Sequence, residues 1–221
     1  RMRSGWMATR TAGLNAIRGL LRELRVTVPV GATKVLPALA EATAAGKLPG
    51  VLEGLLQAMA AEIRDLEARM AEAERTLKRM AADLGAAKRL QTVPGIGLLT
   101  ATALIGSVGE PSRFPSGRHM SSFLGLVPRE NSSGDRRRLG SITKRGDDYV
   151  RMLFTHGARS VLHAASRRKQ NDRLRTWALE TQKRCGHNKA TIALANKMTR
   201  IAWAVWLKDS TYKGRAPEET L

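Results

Sequence analysis

LPGVLEGLLQAMAAEIRDLEARMAEAERTLKRMAADL, residues 48–84, is the stretch whose reading decides how this chain is built. Counted in sevens, Leu52, Met59, Leu66, Ala73 and Met80 form one apolar series. Leu56, Ile63, Met70, Leu77 and Leu84 form a second, displaced by four. Two interleaved series of this kind put one apolar stripe along an α-helix, which is the pattern of a coiled-coil seam. At about 1.5 Å of rise per residue, the helix is on the order of 55 Å long. The seam predicts a dimerising coiled coil or an antiparallel hairpin with an earlier helix. The plainer alternative is a long helix packed on its own domain.

The earlier helix is legible too. Residues 5–25, GWMATRTAGLNAIRGLLRELR, place Leu14, Ile17, Leu20, Leu21 and Leu24 at helical spacing. The segment Val26 to Pro37, with Pro29 and Gly31, breaks that helix.

Beyond the long helix the charge changes. The 221 residues carry 38 Lys and Arg against 19 Asp and Glu, a net charge of +19. Up to Gly85 there are 13 basic and 9 acidic residues; from Ala86 onward there are 25 and 10. A surface this basic faces a polyanion, most commonly nucleic acid, and the second half holds it. A single cysteine, Cys185, excludes a disulfide scaffold and a cysteine-based zinc site. No apolar run reaches the ~18–20 residues of a membrane span, and residues 1–25 lack the apolar core of a signal peptide. A cytoplasmic protein without membrane partners is expected. Aromatic residues, at 4%, are too few for stacking on single-stranded bases to be its main device.

The basic half opens with QTVPGIGLLTATALIGSVG, residues 91–109. A helix ending near Leu90, a Pro-Gly-Ile-Gly turn and a helix through Thr100 and Ala103 match a helix-hairpin-helix. There Gly95 and Gly97 permit a tight turn whose free N–H groups hold a phosphate. Such a contact positions nucleic acid without reading its sequence. The alternative is an ordinary helix–helix turn in which both glycines only relieve sterics.

Next comes FPSGRHMSSFLGLVPRENSSGDRRRLGSITKR, residues 114–145, loop-like and rich in Ser, Gly and Arg. Long loops in compact domains are usually functional. Ser132, Ser133 and Gly134 stand beside Arg136, Arg137 and Arg138, with Lys144 and Arg145 further on. A serine hydroxyl needs deprotonation or a positive neighbourhood to act as a nucleophile, and arginines suit the charge that builds on a phosphate during transfer. From composition alone, turn serines beside a solvated basic stretch remain the commoner case.

The remainder reads as helices. Asp147 or Asp148 caps one that carries Val150, Leu153, Phe154, Ala158, Val161 and Leu162. A polar segment (167–176) leads to a short helix ended by Gly186, and Asn188 caps a last helix with Lys189, Lys197 and Arg200 along its polar side. His156 and His163 lie seven apart rather than four and lack a carboxylate, so no metal site is expected from them. No Walker loop or two-metal carboxylate set is present in the sequence.

Thr92-Val-Pro-Gly-Ile-Gly, Phe123-Leu-Gly-Leu-Val-Pro-Arg, Ser132-Ser-Gly and Gly140-Ser-Ile-Thr-Lys-Arg-Gly146 occur in that order, followed by His187-Asn-Lys-Ala and Leu194-Ala-Asn-Lys. This ordered set resembles the insertion-sequence transposases of the DEDD-plus-serine class. These are bridge-RNA-guided recombinases related to the Piv DNA invertase. The resemblance implies a RuvC-like domain with an acidic Mg2+ site, a coiled coil, and a C-terminal transposase domain with a catalytic serine. Ser133 matches that serine, with Ser132 as the second choice. It further implies DNA as substrate, a guide RNA, a homo-oligomer formed through the coiled coil, and a bacterial, nucleoid-associated setting.

On this resemblance residues 1–47 are the closing helix of a truncated RuvC-like domain and a linker, and 48–90 the coiled-coil helix. Residues 91–208 are the transposase domain and 209–221 a frayed tail. The fold class expected is mainly α. The strands that would bear the acidic tetrad are missing, so no cofactor is expected in this chain and little strand cleavage by it alone. The nucleic-acid contacts expected are Gly95, Gly97, Arg136, Arg137, Arg138, Lys144, Arg145, Lys189 and Lys197. The alternative is a truncated, non-catalytic helical module that only binds nucleic acid. A structural RNA-binding protein of the ribosomal sort explains the charge but not the order of the motifs.

Overall fold

Helical spacing becomes helix along most of the chain in the computed structural model, which describes residues 1–136, 138–167 and 172–214. The fold is mainly α, with one short β-hairpin among the described residues. It divides into two units, Arg1–Thr76 and Leu77–Leu221.

In the first unit, α1 (Met2–Glu23) and α2 (Val35–Ala44) pack with α3 (Gly50–Ala82), most of which belongs here. Leu14, Ile17 and Leu21 of α1 meet Val35 and Leu39 of α2 and Leu56, Ala60 and Ile63 of α3 in one apolar cluster. Arg3 Nε donates to Glu74 at 2.7 Å, Arg10 Nε donates to Glu67 at 2.6 Å, and Gly13 lies against the Ile63 side chain. Position rises along α1 as it falls along α3, so the two run antiparallel. The apolar stripe is thus buried within the chain at Leu56, Ile63, Leu66 and Met70, whereas Met80 and Leu84 are 61% and 43% exposed.

Helix α2 has no counterpart in the sequence expectations, which read Pro37 as the end of a break. Pro37 is the third residue of α2, where the backbone N–H has no intrahelical acceptor to lose. Pro49, in turn, stands directly before α3 and costs it nothing.

The second unit contains α4 (Gly85–Leu90), α5 (Leu98–Val108), α6 (Gly117–Phe123), α7 (Asp148–Arg167), α8 (Arg173–Cys185) and α9 (His187–Leu207). Helix α9 is central, touching α4, α6, α7 and α8, while α5 packs on α7. Small buried residues explain how one helix serves so many neighbours: Ala190, Ala195 and Ala202 admit close approach, and Leu194, Met198 and Val205 fill the space between. Its buried threonines are satisfied locally, with Thr191 and Thr199 hydroxyls donating to the carbonyls of His187 and Ala195.

Of the two residues expected to cap α7, Asp147 does so, its Oδ1 accepting from the N–H groups of Tyr149 and Val150. Two local expectations change. Gly186 ends α8 and also stands before the first residue of α9, so Asn188 lies inside the helix it was expected to cap. The tail expected to fray from Asp209 is held as far as Tyr212. There Asp209 pairs with Arg89, and Tyr212 packs on the core with its N–H donating to Thr92 Oγ1 at 2.8 Å. Residues 215–221 lie outside the described residues. Among the described residues, no helix is long and apolar enough to cross a membrane.

Candidate nucleic-acid interface

The segment expected to be a loop between Phe114 and Arg145 contains α6 and then a β-hairpin, β1 (Pro128–Glu130) with β2 (Leu139–Ile142). The strands are antiparallel, with Pro128 opposite Ile142 and Glu130 opposite Leu139, and a bulge between the two pairs. Almost every residue of both strands is exposed. A hairpin wet on both faces has no buried side to impose apolar alternation, which is why the sequence reads as loop.

The base of the hairpin is fastened tightly. A Cβ on Gly125 (φ +68°) would meet the backbone of Arg145, and one on Gly146 (φ +101°) would overlap the carbonyl oxygen of Phe123. Both positions therefore demand glycine, for conformation and for space. Buried Arg151 of α7 donates from Nη1 to the Leu124 carbonyl at 3.2 Å and pairs with Asp148. Asn196 of α9 donates to the Leu126 carbonyl at 3.2 Å. Two helices thus hold one end of a solvent-exposed ribbon.

The tip carries the serines. Ser133 and Arg136 form a β-bridge around Gly134 (φ +55°). The Ser132 hydroxyl donates to Glu130 Oε1 at 2.8 Å and accepts the Arg138 N–H at 3.1 Å, so it braces the turn. The Ser133 side chain is exposed, as are Arg136 and Arg138. Lys144 and Arg145, also exposed, sit where the hairpin returns to the core. The expected contact Arg137 lies outside the described residues.

The Pro-Gly-Ile-Gly turn separates its two glycines. Gly95 (φ +81°) faces inward: a Cβ there would lie 2.7 Å from Met198 Cε, 2.8 Å from the Gly157 carbonyl oxygen and 2.8 Å from Val161 Cγ2. Gly157 answers it from α7, since a Cβ on Gly157 would meet the Gly95 carbonyl oxygen. Gly95 is thus a packing residue between α7 and α9, whereas Gly97 is exposed directly before α5 with nothing near it. Gly157, inside a regular apolar pattern, gave no sequence signal beyond being a glycine in a helix.

Lys189 is exposed in the first turn of α9. Two turns on, Lys197 holds its ammonium 3.8 Å from the centre of the Trp177 ring. Its pKa is lowered, first by burial and then by the guanidinium groups of Arg200 and Arg173. Lys197 and Arg200 share a cleft of about 510 Å³ between α6 and α9 with Arg118. Arg118 and Trp177 were missed by the sequence reading, because only the packing of α6 and α8 on α9 brings them to Lys197. Among the described residues, no cluster of three or more His, Cys, Asp or Glu side chains is placed to hold a metal ion.

Comparison with known proteins places this geometry in context. Residues 87–173 match the family model described as transposase IS116/IS110/IS902. Across 96% of the chain it is 37% identical to a "Probable family 20 transposase" of Pseudomonas aeruginosa, covering 63% of that protein. It is 35% identical, again over 96% of its length, to the transposase for insertion sequence element IS1111A of Coxiella burnetii, covering 58% of it. A 48-residue stretch is 44% identical to the pilin gene-inverting protein of Moraxella bovis. The chain thus spans about three fifths of the length of the first two relatives.

Proposed function

We propose, from the match of residues 87–173 to the IS116/IS110/IS902 transposase model and the likeness to curated transposases, that this chain is the serine-bearing part of a DNA transposase, with Ser133 as nucleophile. The observation that carries the choice is the division of labour at the hairpin tip. The Ser132 hydroxyl is engaged by Glu130 and the Arg138 N–H, while Ser133 extends into solvent beside Arg136.

In the proposed step, Ser133 Oγ loses its proton and bonds to phosphorus of a DNA phosphodiester. The bond from phosphorus to one sugar oxygen breaks, and that oxygen takes a proton and leaves as a hydroxyl. The phosphoserine ester conserves the phosphodiester, so the reverse attack by a different strand's hydroxyl rejoins DNA without an outside energy source. Arg136 and Arg138 stand where they can stabilise the extra charge on the phosphoryl oxygens. Among the described residues no cluster of His, Cys, Asp or Glu is placed to hold a metal ion, and the step is written from this chain's own residues. A Mg2+ site, a guide RNA and assembly into a homo-oligomer belong to the proposal for the whole transposase.

The contact between Ser132 and Glu130 favours one second reading, in which Ser132 attacks and the carboxylate takes its proton. The two readings separate in a strand-exchange assay with the complete transposase. Ser133→Ala is expected to abolish the covalent protein–DNA adduct on a denaturing gel, and Ser132→Ala to weaken it only. An adduct that survives Ser133→Ala and is lost with Ser132→Ala overturns the assignment.

A further inference from the structure

The cations of the second unit fall into two kinds. Arg89, Arg151 and Arg175 are each ion-paired with an aspartate, at Asp209, Asp148 and Asp172. Arg118, Lys197 and Arg200, which converge on the cleft between α6 and α9, have no carboxylate partner among the described residues, and no carboxylate lines the cleft. Concentrating three like charges in one concave site is unfavourable unless an anion is shared among them. The strain is visible in Lys197, whose ammonium is disfavoured by burial and by its arginine neighbours.

The cleft is also built rather than incidental. Gly117 lets α6 rest on the backbone of α9: a Cβ there would lie 2.9 Å from Arg200 Cα. That contact sets Arg118, the next residue, beside Arg200. Trp203 forms a fixed wall, its indole N–H donating to the Pro111 carbonyl at 3.0 Å. Ile201 adds apolar surface, and Ser116 a hydroxyl at the rim. A volume of about 510 Å³ accepts one nucleotide unit with its phosphate.

We propose that the cleft between α6 and α9 is a phosphodiester-binding site distinct from the serine hairpin, gripping a nucleic-acid backbone through Arg118, Lys197 and Arg200. Its ligand is the sugar-phosphate chain of DNA or RNA, held without base readout. The site rests on the nucleic-acid reading above, but not on the identity of the nucleophile.

The test is fluorescence anisotropy of the full chain with a fluorescein-labelled DNA duplex and, separately, a single-stranded RNA of the same length, across a salt series. The Arg118→Ala, Arg200→Ala double variant is expected to lose about tenfold or more in affinity. Its slope of log K against log salt should flatten by about 2. Loss confined to one probe names the nucleic acid that the cleft holds. Arg159→Ala, Arg184→Ala, which removes equal charge from exposed positions on α7 and α8, should leave the slope within error of the parent. Equal losses in both double variants would reduce the effect to a diffuse field and overturn the site. A parent that binds with an unchanged slope in the cleft variant overturns the site while sparing the nucleic-acid reading. A parent that binds neither probe overturns both.

Discussion

The two units of this chain differ in how many of their arginines are left facing solvent. In the first, Arg3, Arg10, Arg69 and Arg75 all close on Glu or Asp side chains, two of them across α1 and α3 and two along α3. Guanidinium groups there cement helices, and their charge is spent inside the unit. In the second, Arg136, Arg138, Arg118 and Arg200 stand exposed, with no carboxylate partner among the described residues. The charge difference seen in the sequence is therefore more than a count. The acidic residues of the first half are placed to neutralise, and those of the second half mostly cap or anchor. Asp147 caps α7, Asp148 holds Arg151, and Asp172 caps α8 while pairing with Arg175.

The comparison breaks most dramatically at the hairpin. Ser133→Ala in the complete transposase should cost on the order of 10³-fold or more in strand exchange, while DNA affinity, measured by anisotropy, stays within about twofold. Collapse of binding with that single hydroxyl would make Ser133 structural. A sharper contrast comes from salt. Binding should weaken by roughly 10³-fold between 50 and 200 mM if six or more phosphates are neutralised. A flat response would mean that the exposed cations of the second unit do not face a polyanion.

Stability separates the two glycines of the Pro-Gly-Ile-Gly turn. Gly95→Val should destabilise by about 3 kcal/mol or more in chemical denaturation, since its side chain would enter the space of Met198 and Val161 at a positive φ. Gly97→Ala, in open solvent before α5, should cost about 1 kcal/mol or less. In the first unit, Arg10→Ala should cost no more than about 1 kcal/mol, because its partner Glu67 remains 41% exposed to solvent. A larger loss would raise that pair from cement to keystone.

The smallest effect concerns Lys197. Its folded pKa is lowered, so the unfolded chain binds the proton more strongly between that value and 10.5, and stability attributable to this group rises with pH through the window. Lys197→Gln should therefore be no less thermostable than the parent at pH 7. Any advantage should shrink as pH approaches 10.5. A variant less stable at neutral pH would show that the contact with Trp177 outweighs the cost of burying the charge.

Much of the fold was legible because helices announce themselves locally. Leu14, Ile17 and Leu21, or Val150, Phe154, Val161 and Leu162, carry the helical period within a single segment, and each set is buried as that period requires. The heptad stripe was read correctly as apolar, but its partner within the chain is a matter of tertiary contact. Helix α2 escaped because Pro37 sends the same local signal whether it ends a helix or begins one. The site divided in the same way. Ser132, Ser133 and the arginines beside them were visible as neighbours in sequence, yet which hydroxyl is engaged depends on a hairpin with no apolar alternation to reveal it. Gly95 was visible as a glycine in a turn; that its Cβ-less face abuts Gly157 and Met198 was not.

What the sequence determined by itself is therefore whatever depends on short range or on totals. It set the mainly helical class, the apolar stripe of α3, the excess of charge in the second half and the order of motifs around Ser133. Only the tertiary structure decided that Gly95 packs inward while Gly97 stays free. It also decided that Arg118 shares a cleft with Lys197 and Arg200, and that α1 packs along part of the stripe of α3. The physical reason is that period and charge are properties of neighbouring residues. Convergence of positions such as 118, 177 and 197 depends instead on how whole helices pack, and small residues on α9 govern that packing from a distance in sequence.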